Sequence, residues 1–184
     1  MIVVAIIGVL AALAIYGVRR YLAAAKSAEA RQNVGAITRS ATAAFEREVA
    51  PSEEVAEGGQ SAVSVHALCN SGIAVPATVP AGRKYQPFTT NGKDFYSGDA
   101  QTGWWCLRYR MDHPIYYQYQ YTKGSSPVSP NAPAKCTNPD CYEAGALGDL
   151  DGDGTYSHFS ITGSITPSRE LKVATQLYLE NETE

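Results

Sequence analysis

The chain opens with eighteen residues, MIVVAIIGVLAALAIYGV, that hold no charge and no Asn, Gln or Ser. The first charge is Arg19. As helix, this run rises about 27 Å, close to the roughly 30 Å apolar core of a bilayer. A helix with one wet face repeats polar residues every three or four positions, and this run has none. Its Ile, Val and Leu side chains carry about 20 kcal/mol or more of transfer free energy. Such a segment belongs in a membrane or in the core of an assembly, not in water.

A cleaved signal peptide expects a basic stretch before the apolar run and a small-residue cleavage site after it. The sequence instead continues as RRYLAAAKSAEARQNVGAITRSATAAFEREV, rich in Ala and without Pro until Pro51. Val34, Ile37, Ala41 and Phe45 recur at spacings of three and four, which places them on one face. Arg31, Arg39 and Arg47 fall off that stripe. The pattern predicts one helix from residue 1 to about 49. Residues 1–18 form its membrane or assembly-core part, and residues 19–50 an amphipathic part that needs a partner. Pro51 ends this stem, and PSEEVAEGGQS reads as a polar link.

Charge separates the two regions. Residues 1–50 hold six Lys or Arg against three Glu, while residues 51–184 hold nine against fifteen Asp or Glu. The net charge of -3 excludes a strongly basic nucleic-acid binder on bulk charge. Aromatics at 10% exclude a mostly disordered chain. Residues 51–184 therefore read as a compact acidic head.

Four cysteines fall in the head: Cys69, Cys106, Cys136 and Cys141. An even count predicts two disulfides, and four cysteines allow three pairings. Cys136 and Cys141 enclose only TNPD, a turn-rich tetrapeptide, which favours their pairing and leaves Cys69 with Cys106. The rival is a zinc site, but the paired C-x2-C spacing of zinc modules is missing. Alternation predicts strands at 104–112 and 115–122, joined through Asp112-His113-Pro114 as a hairpin. A third strand is expected at Thr155–Ile165, and a weaker fourth around Val173, Leu177 and Leu179. Segments 70–103 and 123–148, rich in Gly, Pro, Ser and Asn, read as loops. The expected class is α+β: a long N-terminal stem helix with a small antiparallel sheet packed on its amphipathic half.

Nothing points to an enzyme. His66, His113 and His158 sit in no motif, and the nucleophile elbow, the metalloprotease motif, the P-loop and the dinucleotide fingerprint are missing. Strand propensity accounts for most of the twelve Tyr; the alternative is a stacking surface along a filament. Asp149, Asp151 and Asp153 stand in the D-x-D-x-D-G order of a calcium loop. Three oxygens plus backbone carbonyls and water would suit the cation. The alternative is a solvated Asp-Gly turn leading into the strand at Thr155. Ser160 stands where an EF-hand counted from Asp149 would need a bidentate Glu.

MIVVAIIGVLAALAI and the Ala-rich helix that follows resemble the stems of type IV pilins and the related type II secretion pseudopilins. WWCLRYRMDHPIYYQYQY and GDLDGDGTYSHFSITG look like their head segments. In that family a mature chain opens F-T-L-I-E-L and continues almost letter for letter as Met1–Ala12. The family's aromatic first residue and its Glu would thus precede Met1. A basic leader ending in Gly, followed by F-T-L-I-E-L, is the expectation upstream. The family usually has Pro where this chain has Tyr16. The resemblance implies a pilin fold. It implies a filament subunit that polymerises through stem residues such as Ile7, Gly8, Leu10, Leu13, Ile15 and Tyr16. Its partners would be copies of itself, the inner membrane before assembly, the pilus assembly machinery and a prepilin peptidase. Its location would be the inner membrane and then the extracellular pilus, serving twitching motility, adhesion or DNA uptake. Calcium held in a C-terminal loop of pseudopilin heads is a further implication for Asp149, Asp151 and Asp153. Arg19 and Arg20 alone would hold the head in the cytoplasm; the cysteines and the leader implied by the resemblance point outward. The alternatives are a minor pilin or pseudopilin, and a membrane-anchored periplasmic binding module whose helix would stop near Arg19.

Overall fold

The computed structural model describes residues 2–47, 66–182 and 184. The expected end of the stem at Pro51 and the link over 51–61 lie outside the described residues. One helix, α1 (Ile2–Glu46), precedes a short helix α2 (Gly103–Leu107) and five strands. These are β1 (Gln118–Lys123), β2 (Cys141–Gly148), β3 (Ser157–Ile165), β4 (Leu171–Val173) and β5 (Tyr178–Glu180). The arrangement is α+β, as the periodicities predict.

At 45 residues, α1 is about 68 Å long. It runs through Arg19 without interruption. Residues 2–18 are exposed throughout. From Ser27 onward one face is buried: Ala30, Val34, Ile37, Ala41 and Phe45 form part of the head's core. Arg31 and Arg39 point outward. The stripe read from the sequence is thus the face laid on the head.

All strand pairings are antiparallel, in the order β1-β2-β3-β4. β5 also pairs with β3, so Phe159 faces Leu179 at one end of that strand and Gly163 faces Val173 at the other. The stem lies against β2, β3 and β4, and against α2.

The expected hairpin of 104–112 with 115–122 is not formed. Trp104 and Trp105 lie in α2, and Arg108 ends that helix in a left-handed conformation (φ 55°, ψ 31°). Burial of the Trp104 ring explains the change. Its Nε1 donates to the Ile73 carbonyl at 2.8 Å, and its ring meets Phe95 edge-on at 4.9 Å. From Arg108 to Met111 the in-out alternation survives, with Tyr109 and Met111 buried and Arg108 and Arg110 exposed. No strand ladder forms there. The second half of the reading holds in part, since β1 begins at Gln118.

The partner of β1 is β2, in a segment read as loop. CYEAGALG has little strand propensity, yet it is an interior strand paired on both sides. Packing accounts for this. A Cβ at Gly148 would lie 2.3 Å from the Tyr117 ring, and one at Gly145 would lie 2.7 Å from Val128. On β3, a Cβ at Gly163 would lie 2.4 Å from the ring of Tyr142, its cross-strand partner. The missing side chains make room for Tyr117, Val128 and Tyr142, and all three are fully buried.

The outer face of β2 is covered by the loop that follows β1. Glu143, buried on that face, accepts from Val128 N at 2.9 Å, Ser129 N at 3.1 Å and the Ser129 hydroxyl. Burial pushes its carboxyl above the ordinary value, and these donors pull it partly back. The sequence reading passed over Glu143, because its donors come from a loop whose path the sequence does not show.

Candidate functional site

Three features carry functional weight: the bare half of α1, the joint between stem and head, and the Asp loop. In the first, Ile7, Leu10, Leu13, Ile15 and Tyr16 are each 59–66 % exposed. A Cβ at Gly8 or Gly17 would meet nothing within 4 Å. Among the described residues α1 is the one helix long and apolar enough to cross a membrane. Exposing each large apolar side chain to water forgoes about 1.5–3 kcal/mol, so this half of the helix requires an apolar environment. By length and composition a bilayer would supply it.

The joint is polar as well as apolar. Glu29 accepts from Tyr116 N at 3.1 Å and from the Tyr119 hydroxyl at 3.2 Å. Asn33, one helical turn on, donates to the same Tyr119 oxygen at 2.8 Å. The Tyr119 hydroxyl is pushed well above its ordinary pKa, first by burial and then by the Glu29 charge, so it stays a donor. Near the C-terminus, Glu182 pairs with Arg31 and accepts from Ser27 at 3.5 Å. Beyond the stem's apolar stripe, His66 Nδ1 lies 3.0 Å from the Phe45 carbonyl. Glu29, Asn33 and Glu182 were missed by sequence reasoning; the i, i+4 placement of Glu29 and Asn33 beside the stripe was the one available signal.

Two disulfides fix the head. Cys69 is joined to Cys106, 37 residues apart, and Cys136 to Cys141, 5 residues apart. The first links the segment entering the head to α2. The second pins the end of the loop that carries Val128 and Ser129 to the first residue of β2.

The loop at Asp149, Asp151 and Asp153 joins β2 to β3. One ligand oxygen from each carboxylate lies within 4.8 Å of the others. Asp149 is buried and accepts from Gly152 N at 2.6 Å and Gly154 N at 3.2 Å. Asp151 accepts from Asp153 N at 3.2 Å, and Asp153 from Thr155 N at 2.6 Å. Gly152 and Gly154 have φ of 82° and 89°, a region that favours glycine. The loop is therefore a series of Asp-capped turns. Calcium–oxygen distances of about 2.3–2.6 Å allow oxygens on opposite sides of one ion to stand about 5 Å apart, so the three carboxylates fit a single cation. The Glu184 carboxyl is raised by desolvation and then by repulsion from Asp151, Asp153 and Asp149, so the C-terminal end adds negative charge nearby.

The twelve Tyr divide by position. Tyr109, Tyr117, Tyr119, Tyr121 and Tyr142 are core residues, and Tyr121 and Tyr142 lie 5.4 Å apart, centroid to centroid. These five pack inside the head and contribute nothing to an outer stacking surface.

A long apolar N-terminal helix joined to an antiparallel sheet is compatible with a pilin-like fold. No family model, no curated protein and no solved structure matches the chain.

Proposed function

We propose that the chain is a structural subunit of a type IV pilus-like filament. The bare half of α1 stores it in the inner membrane and then bundles with the same segment of other copies, heads outward. The observation behind this reading is the division of one unbroken helix. Residues 2–18 are apolar on every side and uncovered, whereas Ala30–Phe45 are built into the head. A tether alone needs no such continuity. A bundle needs a stem rigidly joined to its head, so that packing the stems sets the spacing of the heads. On this reading the partners are copies of the chain, assembly machinery and a prepilin peptidase, and the filament serves motility, adhesion or DNA uptake.

The test is to shear surface filaments from cells that express the chain and to identify the subunits by mass spectrometry. The chain is expected among them. Recovery from the inner membrane alone, as a detergent monomer, would overturn the proposal in favour of an anchored module.

Calcium at Asp149, Asp151 and Asp153 belongs to the same reading, motivated by three carboxylates that fit one ion. Calcium at a hundredfold excess over its dissociation constant should stabilise the head by about 2.7 kcal/mol, or roughly 5–10 °C in melting temperature for a chain of this size. Asp151→Ala, at an exposed position, should remove the shift. A melt that is the same in calcium and in chelator would leave the loop as a turn.

A further inference from the structure

The two sides of the sheet carry unlike features. On the side of β1 away from β2, Tyr119 exchanges backbone bonds with Val75 at 2.7 and 2.9 Å, and Ile115, just ahead of the strand, does so with Tyr85 at 2.8 Å. The loop that follows Tyr85 is tied back on itself. The Asp94 carboxylate accepts from the Tyr85 hydroxyl at 2.7 Å and from Phe88 N at 2.8 Å. Asp94 itself is held at a strained φ of 42°. Gln86 Nε2 donates to the Asp112 carbonyl at 2.8 Å. The loop so fixed presents Phe88, 51 % exposed, with Lys93 Nζ 4.7 Å over its ring.

On the opposite side, at β3 and β5, a pocket of about 360 Å³ opens. Ala132, Pro133 and Ala134 form one wall, and Leu177 and Leu179 the other. Both walls are pinned. Thr162 donates to the Ala134 carbonyl at 3.5 Å, His158 Nδ1 lies 2.6 Å from the Val128 carbonyl, and Cys136 is bridged to Cys141. These bonds hold the first wall to β2 and β3. The second wall continues into β5, which pairs with β3 through Phe159 and Leu179. Charge begins only at the rim. Glu180 follows Leu179 and accepts from the Tyr178 hydroxyl at 2.9 Å, and Lys135 follows Ala134 on the other wall.

An aromatic side chain projecting from a fixed loop suits an interface anchor, because little conformational freedom remains to be lost. A preformed apolar pocket is what such an anchor fills. Here the two lie on opposite sides of one sheet, so they cannot meet within a copy. Between copies they can, and the contact is then heterologous: each copy offers its ring to one neighbour and its pocket to the other. Contacts of that kind propagate into a ring or an open helix and do not close a dimer. The charges agree with this seating. Lys93, beside the ring, meets Glu180 at the rim, and Lys135 on the far wall disfavours the reversed orientation. We propose that Phe88 of one copy seats in the pocket between Ala134 and Leu179 of the next. The contact rests on the filament reading, since one aromatic anchor is weak alone and bundled stems supply the effective concentration it needs.

The test is photo-crosslinking in sheared filaments, with p-benzoylphenylalanine in place of Phe88. The crosslink is expected on a second copy, at residues 132–134 or 177–179, as mapped by mass spectrometry. Phe88→Asp should lower filament yield by about tenfold or more, and Phe88→Leu should retain most of it. Because Phe88 is half exposed, Phe88→Asp should leave the melting temperature of the full chain in detergent unchanged, so loss of the fold cannot explain the loss of filaments. Lys93→Glu should also lower the yield, and adding Glu180→Lys should restore it. Filaments that contain the chain but crosslink elsewhere, full yield with Phe88→Asp, or no rescue by the charge exchange would each overturn this contact and leave the filament reading standing. Absence of the unmodified chain from filaments would overturn that reading and the contact with it.

Discussion

Phe45→Asp is expected to destabilise the head by about 4 kcal/mol or more. Phe45 is 5 % exposed at the last turn of the stem's buried face, with the His66 ring 5.6 Å away. Removing a buried Phe side chain alone costs about 3–5 kcal/mol. A carboxylate left there without a partner adds a further desolvation penalty. Against a total stability of about 5–15 kcal/mol, that is enough to populate heads detached from their stems. Chemical denaturation followed by tryptophan fluorescence measures it, since Trp104 lies in the same core. Phe45→Leu, which keeps an apolar side chain, should cost far less. Equal midpoints for Phe45→Asp and the unmodified chain would refute the role given to this residue.

Cys69→Ser should cost about 4 kcal/mol. The bridge to Cys106 closes a loop 37 residues apart, and in the chain-entropy account a loop of that size is worth about that much. Cys136→Ser opens a loop of separation 5, worth about 2 kcal/mol by the same relation. Melting of the two variants under non-reducing conditions should therefore rank Cys69→Ser as the weaker protein. The reverse order would mean that anchoring the loop over β2 matters more than chain entropy.

What the residues made legible follows the physics of each segment. Val34, Ile37, Ala41 and Phe45 could be read because a helix face is defined by spacing alone, and the head supplied the surface that the spacing required. β3 was legible for a similar reason, since Phe159, Ile161 and Ile165 alternate. β2 was not. Its Gly145 and Gly148 are strand residues because Val128 and Tyr117, distant in sequence, fill the space above them. Trp104 and Trp105 read as strand by alternation, and tertiary burial of one indole turned them into helix. The Asp loop could be located from its spacing, but not the amides of Gly152 and Gly154 that hold Asp149. The bond from Arg47 to the Cys106 carbonyl was invisible, because α1 and α2 meet only once the fold is in place.

The joint between stem and head also constrains the order of events during synthesis. The partners of Glu29 and Asn33 on β1 lie 86 to 90 residues downstream, and Ser27 waits for Glu182, 155 residues later. Contacts of such separation form late and slowly, because loop closure must precede any gain from them. Among the described elements, α1 is thus made before every segment that covers it. Until α2 and the strands arrive, its inner stripe is as bare as its tip. A chain cut before Glu182 would leave Ser27 and Arg31 without that partner.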